Sequence, residues 1–182
     1  MRLITLITCG GTIEKTYDEQ SGALENRRSI VRRMLSRLRL EETAINVIEL
    51  MSKDSLHMTT DDRRRVAEAV HAAGGMRALP TECTGIVILH GTDTLEMTGE
   101  HLLAEAAASA DRAPRVPIVL TGAMRPYEMK RSDALQNLTE AIFAAGVLPP
   151  GIYAVAHGRA LRFPGVKKDR ERGTFVGGEA IG

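Results

Sequence analysis

A few residues in this chain stand where chemistry could be done. Thr12 follows two glycines, Gly10 and Gly11, which end the apolar run Leu3-Ile4-Thr5-Leu6-Ile7. Paired glycines let the backbone turn sharply and let a ligand approach the main chain. A hydroxyl just past such a turn lies at the end of a strand, where open α/β sheets bind their ligands. A second cluster, His90-Gly91-Thr92-Asp93-Thr94, ends another apolar run. A threonine hydroxyl is a poor nucleophile until a neighbour takes its proton, and the acceptor could be a neutral lysine, a tyrosinate or a water. Lys168 could supply that base. Asp93 could orient the lysine or bind a substrate amine, and the N–H groups of Gly11 and Thr92 could stabilise an oxyanion. Each residue alone also fits a plainer role: a Gly-Gly-Thr chain reversal, a Thr-Asp helix cap, a surface lysine. On the residues alone, the reading stops at an α/β enzyme with a hydroxyl-rich site.

The elements that must position these groups alternate along the chain. Leu3–Thr8, Ile45–Leu50, Gly85–Leu89, Val116–Thr121 and Ile152–Ala156 read as buried strands, rich in Val and Ile. Between them lie helical patterns. Ser29–Leu38 carries Ile30, Met34, Leu35 and Leu38 at helical spacing. Thr60–Ala73 opens with Thr60-Asp61-Asp62 as a cap and acidic first turn, Leu95–Ser109 is alanine-rich, and Ser132–Ala145 stops before Gly146. This alternation predicts one domain over residues 1–182, α/β in class. Its sheet is mostly parallel, of the Rossmann or flavodoxin type, with helices on both faces. The polar stretch 14–26 fits either a lid over a site or an exposed hairpin. The stretch from Arg159 to Gly182 is basic and then Gly-rich, and reads as a solvated charged face.

Composition narrows the function. With 182 residues and 43% hydrophobic content the chain can bury a sizeable core. A net charge of +1 gives no global field for nucleic acid or a membrane surface, and 3% aromatics leave few platforms for stacking bases. Two cysteines, Cys9 and Cys83, are too few for a disulfide scaffold or a zinc ribbon, so a reducing cytoplasm is expected. No run reaches the roughly 20 apolar residues of a membrane helix. Leu6-Ile7-Thr8-Cys9 faintly resembles a lipoprotein box, but the preceding run is short and a buried strand is the better reading.

Taken together, Cys9-Gly10-Gly11-Thr12-Ile13, His90-Gly91-Thr92-Asp93-Thr94 and Thr121-Gly122-Ala123-Met124-Arg125-Pro126 resemble the bacterial-type L-asparaginase family in order and spacing. Ser132-Asp133-Ala134-Leu135-Gln136-Asn137-Leu138 resembles the segment after the third motif. The resemblance covers essentially the whole chain as the family's N-terminal catalytic domain, in a short form without the C-terminal domain. It implies hydrolysis of L-asparagine to L-aspartate and ammonia, with no metal or cofactor, by a homotetramer or homodimer. Thr12 would then be the nucleophile, assisted by Tyr17 in the 14–26 lid. Thr92, Asp93 and Lys168 would form a second triad, Lys167 being the adjacent alternative. Asp54, Ser55, Gly11, Thr92 and Asp93 would bind substrate, Ser55 at its carboxylate and Asp93 at its amine. Cys9 stands where the family usually has Thr or Ser, and is expected to pack in the core. Leu56 stands where many longer members have Gln. Glutamine hydrolysis, as in the glutamine-hydrolysing component of a tRNA-dependent amidotransferase, and a non-catalytic amino-acid sensor are the rival readings. The amidotransferase component ranks low because Met1 opens directly into the first strand.

Overall fold

In the computed structural model, which describes residues 1–76 and 82–181, a seven-stranded sheet runs through the molecule. Its strands are β1 (Arg2–Gly10), β4 (Thr43–Lys53), β5 (Gly85–Leu89), β6 (Pro117–Thr121), β7 (Gly151–Ala156), β8 (Arg159–Asp169) and β9 (Thr174–Ile181). Two short strands, β2 (Thr16–Asp18) and β3 (Ala23–Glu25), form a separate hairpin. The sheet order is β4-β1-β5-β6-β7-β8-β9. The first five strands are parallel, and β8 and β9 are antiparallel additions.

The parallel strands are apolar on both faces because both are covered. Alternate residues part to opposite sides. Ile7, Ile86, Ile88, Ile118 and Leu120 pack with Val66 and Val70 of α2 (Thr60–Ala72) and Leu95 and Leu102 of α3 (Leu95–Ala108). Ile4, Leu6, Val87, Leu89 and Val119 pack with Val31 and Met34 of α1 (Val31–Leu35) and with Leu138 and Ala141 of α4 (Ala134–Val147). Each such side chain, fully buried, contributes on the order of 2 kcal/mol. Cys9 belongs to the first of these cores, and both cysteines are buried and neither forms a disulfide.

From β1 the chain moves outward to β4, and from β5 it moves the other way to β6. The sheet therefore reverses its winding between β1 and β5. The crevice beyond the carboxyl ends at such a reversal is where ligands bind in this class of sheet.

Several expectations need correction. The stretch read as a solvated charged face is β8 and β9, although Gly182 itself lies outside the described residues. Arg159, Arg162 and Lys167 point outward while Leu161, Phe163 and Val166 point in, an alternation the charges conceal. The first helix is only Val31–Leu35, followed by tighter i→i+3 bonds from Arg37 and Leu38. Thr59, not Thr60, caps α2. Its hydroxyl accepts the Asp62 N–H at 3.2 Å while the Asp62 carboxylate accepts the Thr59 N–H at 2.9 Å. Helix α4 starts at Ala134 rather than Ser132 and runs through Gly146 to Val147. The 14–26 stretch holds the hairpin β2–β3. Among the described residues no helix is long and apolar enough to cross a membrane.

Candidate active site

The carboxyl ends of β1, β4 and β5 meet with almost nothing between them. A methyl group on Gly11 would lie 2.4 Å from Gly91 Cα, and one on Gly91 would lie 2.4 Å from Ser55 Oγ. Gly11 also has φ of +81°, a conformation that glycine adopts without strain. This contact brings the turn carrying Thr12, the turn carrying Ser55 and the turn carrying Thr92 to one crevice. Behind them, a methyl on Gly122 would meet the His90 carbonyl oxygen at 2.3 Å, so the end of β6 is packed just as closely.

Thr12 is half-buried and opens a single 3-10 turn, Thr12–Glu14. Glu14 holds that turn from behind. Its carboxylate is buried, accepting the Gly10 N–H at 3.1 Å and a short bond from the Ser29 hydroxyl. Burial pushes the Glu14 carboxyl up, opposed by these bonds. The Gly11 N–H donates to the Lys53 carbonyl at 2.8 Å. This corrects its expected part as an oxyanion donor: the β1–β4 ladder already engages it.

Thr92, Asp93 and Lys168 form one connected set. Lys168 Nζ donates to Thr92 Oγ1 at 2.7 Å and to Asp93 Oδ1 at 3.0 Å. Lys168 reaches them because β8 runs antiparallel beside β7, and its backbone N–H is fixed to Glu96 Oε2 at 2.8 Å. Its neighbour Lys167 alternates outward and is exposed. The Lys168 ammonium fills one acceptor site of Thr92, which leaves the Thr92 hydroxyl hydrogen free to point elsewhere.

Ser55 is buried, and its Oγ finds no partner in the protein. A buried hydroxyl left in that state costs about 1–3 kcal/mol, a penalty that a bound ligand removes. The Ser55 carbonyl accepts the Thr94 hydroxyl at 2.8 Å, which ties this turn to the end of β5. Asp54 is engaged differently from the expectation of a substrate contact. Its Oδ2 takes Lys15 Nζ at 2.8 Å, its Oδ1 caps the turn at the Leu56 N–H, and the Lys15 bond lowers its pKa. Tyr17 sits on β2 with its backbone N–H donating to Glu128 Oε2 at 2.9 Å. Its side chain faces solvent, 58% exposed, and no hydrogen bond joins its hydroxyl to Thr12.

Three contributors escaped the sequence reading. Glu14 lay inside the polar 14–26 stretch and looked like a lid residue. His90 was visible in its motif but without a role. It is fully buried, and its Nδ1 lies 2.8 Å from the Gly91 carbonyl, so Nδ1 carries the hydrogen and donates. Its Nε2, 2.8 Å from Thr98 Oγ1, accepts that hydroxyl. Burial pulls the His90 pKa down to about 4, so the ring is neutral at neutral pH. Asp133 is the third. It accepts the Met124 and Arg125 N–H groups at 2.9 and 3.0 Å and binds His157 Nε2 at 2.8 Å. The third motif is thus a brace for the site rather than part of its chemistry.

Comparison with known proteins adds the following. A family model described as Asparaginase, N-terminal, matches residues 3–174. The L-asparaginase of Thermococcus kodakarensis is 33% identical over 153 residues, 84% of this chain and 43% of that protein. A component of the glutamyl-tRNA(Gln) amidotransferase of Methanococcus vannielii is 27% identical over 158 residues, 87% of this chain and 35% of that one. Among solved structures, the thermostable L-asparaginase from Thermococcus kodakarensis superposes with a TM-score of 0.74 at 30% identity, covering 91% of this chain and 47% of that one. L-asparaginase I from Vibrio cholerae shares the fold, with a TM-score of 0.73 at 22% identity, covering 96% of this chain and 51% of that one. The chain spans between about a third and a half of these relatives' length.

The buried His90 makes a checkable demand on stability. Between its folded pKa of about 4 and its ordinary 6.5, the unfolded chain binds a proton that the folded chain does not, so stability rises with pH across that window. Glu14, with a raised pKa, acts in the opposite sense as pH rises past its ordinary value of 4.5. The comparison is therefore between wild type and His90→Gln. Denaturant titrations at pH 4.5 and 6.5 should show an acid-side loss of about 2 kcal/mol that the variant lacks. An equal pH slope in the two proteins would refute the buried neutral ring.

Proposed function

Because the chain belongs to the asparaginase family, we propose that it is an amidohydrolase converting L-asparagine to L-aspartate and ammonia through an acyl-enzyme on Thr12. The observation that carries this reading is the Lys168–Thr92–Asp93 set standing across the Gly11–Gly91 contact from the Thr12 turn. In the first step Thr12 Oγ attacks the side-chain amide carbon. Its proton passes to the departing nitrogen, the C–N bond breaks, and ammonia leaves an ester on Thr12. Water then attacks the ester carbon, the C–O bond breaks, and Thr12 recovers its hydrogen. Thr92, polarised by Lys168, positions that water, and Tyr17 assists Thr12 once the hairpin swings over the site. With the Gly11 N–H engaged by Lys53, the Thr92 N–H is the oxyanion donor we assign.

The substrate is a zwitterion and needs unlike partners at its two ends. The orphan hydroxyl of Ser55 suits the α-carboxylate, and Asp93 suits the α-ammonium. The chemistry draws on no metal or cofactor. Glutamine hydrolysis is the second reading, favoured by the likeness to the amidotransferase component. Glutamine is one methylene longer, and a methylene shifts discrimination by about 1–3 kcal/mol, so the ratio of kcat/KM for the two amides decides between them. The lack of a disulfide at Cys9 and Cys83 suits our placement of the protein in the cytoplasm.

Thr12→Ala should lower ammonia release from asparagine by about 10³-fold or more, while calorimetry still registers bound aspartate. Turnover near wild type in that variant would overturn the nucleophile. We also propose a homo-oligomer, tetramer before dimer. Phe143 and Val147, one turn apart on α4, are 62% and 48% exposed and suit a covered face. Light scattering should give a multiple of 19.8 kDa, and a monomer would refute it.

A further inference from the structure

Asp93 carries two cations on one oxygen. Lys168 Nζ and a terminal nitrogen of Arg170 each lie 3.0 Å from Asp93 Oδ1. The two cations are held very differently. The Lys168 side chain is 15% exposed and is also fixed to Thr92. The Arg170 side chain is 70% exposed and pairs with no other carboxylate among the described residues. Arg170 comes from the turn that follows β8, two residues after Lys168, and both side chains reach the same carboxylate. Lys168 is a largely buried part of the site, whereas Arg170 reaches it from the solvent side.

We propose that Arg170 determines specificity in this chain: its guanidinium, held on Asp93, opposes a substrate ammonium that approaches the same carboxylate, and so disfavours an amide bearing an α-amine. The inference rests on the amidohydrolase reading, in which Asp93 receives that ammonium. A guanidinium and an ammonium brought to one carboxylate oxygen already bound to Lys168 repel each other. The substrate ammonium therefore meets a carboxylate whose charge two cations already share. An amide without the amine, such as succinamic acid, has no use for that oxygen and is not opposed. Arg170 thus weakens binding of amino-acid amides selectively, rather than obstructing the site as a whole.

The test compares wild type, Arg170→Gln and Arg170→Lys on asparagine and on succinamic acid. With Arg170→Gln, KM for asparagine should fall about three- to fivefold, the range of an exposed ion pair. KM for succinamic acid should not fall. Arg170→Lys, which keeps the charge, should lie between wild type and Arg170→Gln. An asparagine KM that is unchanged or higher in Arg170→Gln, or an equal fall for both amides, would overturn the proposal. Calorimetric titration of the same proteins with aspartate and with succinate repeats the comparison without turnover. If wild type hydrolyses neither amide, the amidohydrolase reading fails. The titrations still judge Arg170: aspartate must bind more tightly to Arg170→Gln while succinate does not, and any other pattern refutes it.

Discussion

The contact between Gly11 and Gly91 governs this molecule. The two backbones lie so close that a single methyl group would not fit between them. Because of it, the turns at the ends of β1 and β5 converge at the point where the sheet reverses its winding. Ser55 closes on the far side of Gly91, which lines three hydroxyl-bearing turns along one crevice. No side chain could have drawn them together so closely. The arrangement rests on the absence of side chains, and the bulky residues lie beneath it in two cores that fix the strands.

Charge is handled pairwise around this crevice. Asp54 meets Lys15, Asp62 meets Lys53, and Asp93 meets Lys168 and Arg170. The Lys53 bond takes the Asp62 pKa down to about 2, and through it the end of β4 is joined to the start of α2. The two buried titratable groups behind the site are dealt with by other means. His90 is kept neutral by burial, and Glu14 is surrounded by donors. The result is a buried floor beneath paired charges at the rim. Asparaginase-type chemistry would use both, the floor for the nucleophile and the rim for the substrate's charged ends.

The five parallel strands were legible because a strand buried on both faces must be apolar throughout. Gly85–Leu89 was read with its observed ends. The approach of the Gly11 turn to the Gly91 turn follows from strand ends that share a crevice. Strand β8 was hidden because only one of its faces is well buried, and Lys and Arg on the outer positions outweigh Leu161, Phe163 and Val166, while β9 was hidden by its paired glycines and its single buried side chain, Phe175. That same misreading placed Lys168 on a solvated run, and only the antiparallel pairing with β7 explains its reach to Thr92. Glu14 and His90 were opaque for another reason: both are polar residues whose roles depend on burial, which periodicity does not report. The cap at Thr59 differed by one residue because three consecutive residues, Thr59, Thr60 and Asp61, are all competent caps.

The central claim is that the hydroxyl held at the Gly11–Gly91 contact is the one that forms the covalent intermediate. The most direct measurement is peptide mapping by mass spectrometry of enzyme quenched in acid during asparagine turnover. The account predicts a β-aspartyl ester on the peptide carrying Thr12. An ester on the peptide carrying Thr92 instead, or steady ammonia release with no ester on either, would contradict it.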